Sequence, residues 1–234
     1  MFSFKRTEII KFPDQQRTVS HGESDWNRWK RPVTVQEYGA INKIDICPVA
    51  PYYYAVTSLS KVLLYDPITK RAFKTISKFQ DSAYGAKFRQ DGKLLCVGTT
   101  EGQLKVFDLA TKTLLRILRG HHTSAVHRCD FTPDQTGVLS FADDKTIGLW
   151  DLPSETLVNT FHGHEEYVRS GAPFNMTSNL FVSASYDQTV RLWDKRRGTE
   201  SVLVLKHGAP VSLFKYTKLR VTRGNVKFGF IQGH

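Results

Sequence analysis

Two stretches of this chain match each other position for position, Gly120 to Asp151 and Gly163 to Asp194. Each opens on Gly-His, at His121 and His164, 43 residues apart. A serine (Ser140, Ser183), an aspartate (Asp144, Asp187) and a tryptophan (Trp150, Trp193) follow at the same intervals, and an aspartate closes each copy. Weaker closings on Tyr65-Asp66 and Phe107-Asp108 continue the series upstream, so the terminal aspartates are spaced by 42, 43 and 43 residues. Three positions before each closing aromatic stand Val62, Leu104, Ile147 and Val190; one before stand Leu64, Val106, Leu149 and Leu192. Between them fall Leu63, Lys105, Gly148 and Arg191. Such alternation marks a β-strand with one face more buried than the other. A repeat this short cannot cover its own apolar faces and must stack on its neighbours.

Gly-His, an aspartate in a turn and Trp-Asp at a period near 43 resemble the WD repeat. The fold expected is all-β, a WD-repeat β-propeller of four blades with a partial fifth, forming the front part of a larger ring. Turns fall at Asp91-Gly92, Asp134-Gln135 and Asp143-Asp144. Residues 1–31 read as an N-terminal extension, 32–211 as the propeller portion with blades ending near 66, 108, 151 and 194, and 212–234 as a divergent basic tail. The alternating segment 32–37 matches the end of a repeat, which predicts an outer strand that fastens a ring shut. A fifth repeat opens at Val202-Leu203-Val204-Leu205 and His207-Gly208, and the pattern fails after Val211-Ser212. Asn225 to Gly229 resembles a third strand about eight residues early. A chain cut short in this way should expose strand edges and an apolar blade face.

With 40% apolar and 24% charged residues the chain reads as globular rather than disordered. Its three cysteines, Cys47, Cys96 and Cys129, fit no metal or redox spacing and read as reduced thiols. The start lacks the apolar run of a signal peptide and no stretch is long enough to span a bilayer, so a nuclear or cytoplasmic protein without a membrane partner is expected. The net charge of +11 invites a nucleic-acid reading, although five basic residues and no acid lie between Ser212 and His234.

Two matched sets of side chains carry the chemistry of the repeats: His121, Ser140, Asp144 and Trp150, then His164, Ser183, Asp187 and Trp193. In the WD pattern such a set forms a buried hydrogen-bonded network, and buried polar groups are tolerated only when paired. Repetition in register favours a structural role over metal binding or Ser-His-Asp catalysis. Leu59 and Glu101 occupy the aspartate position in the first two blades, which should lean more on apolar packing. No phosphate-cradling loop precedes a helix, so no enzyme, metal or cofactor is expected. Candidate contacts with RNA or a partner are Trp26, Arg28, Trp29, Lys30 and Arg31, and a basic turn at Lys195, Arg196 and Arg197. Pinning of the extension onto a β surface by Trp26 and Trp29 is the alternative for the first group, and a solvated turn for the second.

A narrower resemblance rests on Trp26 to Val33, Glu37 to Ala40, Pro51 to Thr57, Phe88 to Leu95, Ser185 to Val190 and Thr199 to Leu203. In this order they resemble the family of the fifteenth U3 small nucleolar RNA-associated protein, WD-repeat subunits of the small-subunit processome. That resemblance implies a nucleolar, non-enzymatic scaffold supporting pre-ribosomal RNA transcription and processing towards 18S RNA. Its implied partners are other processome subunits (WD-repeat and helical scaffold proteins), pre-ribosomal RNA and the U3 small nucleolar ribonucleoprotein. Members of the family carry more blades and a helical C-terminal domain, whereas this sequence departs at Ser212. Trp193-Asp194-Lys195-Arg196 also matches the Trp-Asp-x-Arg motif of WD-repeat substrate receptors of cullin-four ubiquitin ligases, the alternative function.

Overall fold

The computed structural model describes residues 34–77, 79–111, 113–174 and 177–211, and the backbone of two further strands at Lys215–Thr222 and Asn225–Ile231. The chain separates into two compact units, residues 1–36 and 37–234, and the repeats lie in the second.

Among the described residues the repeats form four four-stranded antiparallel sheets, each joining its strands in chain order. The first holds β1 (Ile41–Ile46), β2 (Tyr54–Ser58), β3 (Lys61–Tyr65) and β4 (Ala72–Ile76). The second holds β5 (Lys87–Phe88), β6 (Leu94–Gly98), β7 (Leu104–Asp108) and β8 (Thr113–Leu118). The third holds β9 (Val126–Phe131), β10 (Gly137–Ala142), β11 (Ile147–Asp151) and β12 (Thr156–Phe161). The fourth holds β13 (Val168–Pro173), β14 (Leu180–Ser185), β15 (Thr189–Asp194) and β16 (Ser201–Lys206). The first strands of successive sheets lie side by side, β1 by β5, β5 by β9 and β9 by β13. These sheets are the blades of a WD-repeat propeller.

The apolar cores lie between blades, as the alternation of residues along each strand requires. Val62, Leu64 and Ile76 of the first blade meet Phe79, Phe88, Leu95 and Phe107 of the second. Cys96, Leu104 and Val106 of the second meet Val126, Val138 and Trp150 of the third. Leu139, Phe141 and Phe161 of the third meet Val168, Phe181 and Trp193 of the fourth. Gly171 on β13 permits that last approach, since a β-carbon there would stand 2.1 Å from the Phe141 ring. The free cysteines are buried in these contacts. Burial pushes the Cys96 thiol well up, which keeps it protonated and inert.

The aspartate that closes each blade holds the turn between its third and fourth strands. Asp66 accepts from the Ile68 amide (3.0 Å) and Thr69 hydroxyl (3.0 Å), and Asp108 from the Ala110 amide (2.9 Å) and Thr111 hydroxyl (2.9 Å). Asp151 accepts from the Ser154 amide (3.0 Å) and hydroxyl (2.6 Å), and Asp194 from the Arg196 amide (3.0 Å). Short polar side chains that bond the backbone two or three residues on are what such turns need.

Two expectations are corrected. Residues 34–37 form no strand, and Pro32 and Val33 lie outside the described residues. A fastening strand there would take the fourth place in a blade, and each described blade already has its own fourth strand. Val202 to Leu205 do not open a fifth blade: they lie in β16, which pairs with β15 as the outer strand of the fourth. Beyond Val211, β17 (Lys215–Thr222) and β18 (Asn225–Ile231) pair antiparallel with each other in a sheet of two. At the other end of the series, β1 leaves Ile41, Ile44 and Ile46 49%, 56% and 64% exposed, whereas Val56 and Leu63 of the same blade are buried.

Candidate functional site

In the fourth blade the histidine network closes as one chain of hydrogen bonds. The Trp193 indole N–H donates to Ser183 Oγ (2.8 Å), and the Ser183 hydroxyl lies 2.6 Å from His164 Nε2. His164 Nδ1 is 2.7 Å from Asp187 Oδ2. Because Ser183 receives the indole hydrogen, its own proton points at Nε2, and the imidazole donates through Nδ1 to Asp187. The Thr189 amide and hydroxyl add two bonds to the other carboxylate oxygen, at 2.8 and 2.6 Å. Burial alone would raise the Asp187 pKa, yet the bonds from Thr189 and His164 prevail and hold it down at about 2. Burial of His164 pushes its pKa below the ordinary value, keeping the ring neutral.

The third blade builds the same network with a different histidine from the one its sequence suggests. His122, not His121, bonds Asp144 Oδ2 through Nδ1 (2.8 Å) and Ser140 Oγ through Nε2 (2.6 Å). Trp150 donates to Ser140 at 2.9 Å. The His121 ring instead packs against His122 and stands edge-on to Trp150. Two compensating one-residue shifts explain the difference. The third blade has one residue more between the preceding outer strand and the histidine, from Leu118 to His122 against Phe161 to His164. It has one fewer in the following hairpin, where Thr132 pairs with Gly137 and Phe174 with Leu180. The serines, aspartates and tryptophans therefore stay in step while the histidines do not. Asp144, raised by burial but pulled down further by His122 and Thr146, sits at about 2.

Asp–His–Ser connectivity of this kind can activate a serine, but here it is sealed. Ser140 and Ser183 are both 0% exposed and each carries the hydrogen of an indole on its oxygen. A substrate carbonyl cannot reach either oxygen. In the second blade Phe79 and Phe107 take the places of the histidine and tryptophan, their rings 5.8 Å apart. The same site is there filled by apolar contact.

Of the basic turn, Lys195 is half-buried and stands 3.9 Å from Asp134, while Arg196 and Arg197 are exposed. Arg196 forks onto Asp194 with Nε and Nη2 at 3.1 and 2.8 Å. Trp26, Arg28, Trp29, Lys30 and Arg31 lie outside the described residues.

A cavity of about 330 Å³, lined from all four blades, lies where their first strands converge. Asn42 and Lys43 of β1, Tyr84 and Gly85 before β5, His127 and Arg128 of β9, and Arg169 of β13 with Tyr186 form its wall. Asp143 organises one side, bonding His127 Nε2 (2.9 Å) and Arg169 Nη2 (2.9 Å). The Arg169 guanidinium lies over both the Tyr167 and the Tyr186 ring, 5.5 and 5.3 Å from their centroids, which are themselves 6.3 Å apart. On the other side Lys87 pairs with Asp45 at 2.9 Å. Lys43 has no carboxylate within ion-pair reach among the described residues. Burial, and then the neighbouring Arg128, lower its pKa to about 8. Arg128 stands 3.7 Å from Asp130, and its Nε is buried without an acceptor.

Comparison with known proteins adds to this geometry. The model of the WD domain, G-beta repeat, matches residues 112–151 and 155–194. These two segments are WD repeats. The U3 small nucleolar RNA-associated protein 15 homolog of Xenopus laevis is 39% identical over 150 residues, which cover 64% of this chain and 29% of that protein. U3 small nucleolar RNA-associated protein 15 of Schizosaccharomyces pombe is 39% identical over 146 residues, 62% of this chain and 29% of its own length. The Homo sapiens homolog is 41% identical over 110 residues, 47% of this chain and 21% of that protein. The chain thus spans less than a third of the length of these curated relatives.

Within the WD frame, the cavity that sequence reasoning missed has a recognisable signal. Asn42, Tyr84, His127 and Arg169 occupy the same slot in successive repeats, at or just before the first strand. The slot varies from blade to blade because it faces the shared cavity rather than a blade interior.

Proposed function

We propose that this chain serves as a non-enzymatic scaffold in nucleolar ribosome biogenesis, within the small-subunit processome. It supports pre-ribosomal RNA transcription and processing towards 18S RNA through contacts with other processome subunits, pre-ribosomal RNA and the U3 ribonucleoprotein. The observation that carries this reading is similarity across the blades to U3 small nucleolar RNA-associated protein 15 from both frog and fission yeast. The sealed serines add to it: the best-formed polar networks hold blades in shape and leave the blade surfaces for partners. A fluorescently tagged full chain should concentrate in nucleoli and redistribute when ribosomal RNA synthesis is blocked. Uniform cytoplasmic fluorescence at low expression contradicts the proposal.

A further inference from the structure

The cavity between the first strands holds more donors than acceptors. Asp143 is engaged by Arg169 and His127, and Asp45 by Lys87. Asp143 Oδ1 and Arg169 Nε, both buried without a hydrogen bond, face each other at 2.7 Å; among the described residues that leaves the Lys43 ammonium without a carboxylate in ion-pair reach and the buried Arg128 Nε without an acceptor. Lys43 and Arg128 are both lining residues of the same space. An ammonium without a carboxylate partner favours an anion within reach, and the Arg128 guanidinium adds positive charge to the same wall. Asp130, half-buried and 3.7 Å from Arg128, is the carboxylate that faces it.

The rim supplies a second kind of contact. Tyr186 and Tyr167 are 37% and 42% exposed, with the Arg169 guanidinium against both rings. Exposed aromatic faces backed by an arginine form a stacking platform for bases. A carboxylate would satisfy the donors and leave the rings unused. A nucleotide uses both.

We infer that the cavity binds one nucleotide of single-stranded RNA, its phosphate received by Lys43 and Arg128 and its base placed against Tyr186. The choice of RNA over a free phosphate rests on the ribosome-assembly reading; the phosphate site itself rests on the cavity alone. The test measures binding of a short single-stranded RNA, inorganic phosphate and an acidic peptide to the full chain, by fluorescence anisotropy and calorimetry. Lys43→Met should weaken RNA binding at least about tenfold and flatten the dependence of log K on log salt by about 0.7, the share of one phosphate. Lys43→Arg should restore both. Tyr186→Ala, at an exposed ring that the blade cores do not use, should weaken RNA binding several-fold and leave inorganic phosphate unchanged. Circular dichroism of each variant separates loss of binding from loss of fold, and the Tyr186 variant decides the matter if Lys43→Met does not fold. RNA binding indifferent to both substitutions overturns the inference. So does an acidic peptide that binds as tightly as RNA through Lys43, because it assigns the site to a protein partner. Loss of nucleolar location with intact phosphate binding counts against the cellular role and leaves the anion site standing.

Discussion

At the scale of single residues, the two histidine networks predict a graded response to substitution. His122→Ala strands Ser140 and Asp144 in the interior and should destabilise by about 2–4 kcal/mol. His121→Ala removes ring contacts and one long bond to the Thr146 hydroxyl (3.4 Å) and should cost under about 1 kcal/mol. Urea unfolding of the two variants checks the order, and equal losses would return the network to His121. The same groups set the pH response. His164 is held below its ordinary value of 6.5, so as pH falls past 6.5 the unfolded chain takes up a proton that the folded chain refuses, and stability drops. Asp144 and Asp187 at about 2, against an ordinary 3.8, contribute stability that is complete above about 4 and lost as pH falls towards 2. Thermal midpoints should therefore decline below neutrality and again below pH 4; a flat profile from pH 7 to 3 contradicts the networks. The serine, aspartate and tryptophan of each set were legible in the sequence because β10–β11 and β14–β15 keep one register. The histidine of the third blade was not, because an extra residue before it is cancelled by a missing one in the next hairpin, and a fixed period hides both.

At the scale of elements, the turn aspartates could be read directly, since side-chain bonding to a local backbone needs only neighbours in sequence. Strand 32–37 could be read only as a pattern, and alternation says nothing about whether a sheet edge stands ready to pair with it. The outer strand β16 shows the reverse case. Its alternating Val202 and Val204 looked like the opening of a new blade, whereas the ladder to β15 ties it to the preceding one. Burial along the strands predicts unequal protection. Amides of β10, β11, β14 and β15, in blades with closed networks and packed faces, should exchange slowest in hydrogen-exchange mass spectrometry. Those of β1, with Ile44 and Ile46 more than half exposed, should exchange faster. Slow exchange confined to the first blade contradicts this order.

At the scale of the whole molecule, the period of the repeats specified stacked blades, and the cores between blades follow from it. The cavity was hidden for the opposite reason. Each blade contributes two residues to it, so no single repeat carries its chemistry, and its charge balance exists only once β1, β5, β9 and β13 lie together. The proposed function rests on similarity to relatives of which the 150 matched residues make up 29%. The most direct measurement is affinity purification of the tagged full chain at physiological salt, with quantitation of co-purified RNA and protein. Enrichment of U3 small nucleolar RNA and 5′ pre-ribosomal RNA together with processome subunits is the predicted result. Recovery of the folded chain without U3 RNA or pre-ribosomal RNA above an unrelated WD-repeat control would contradict it.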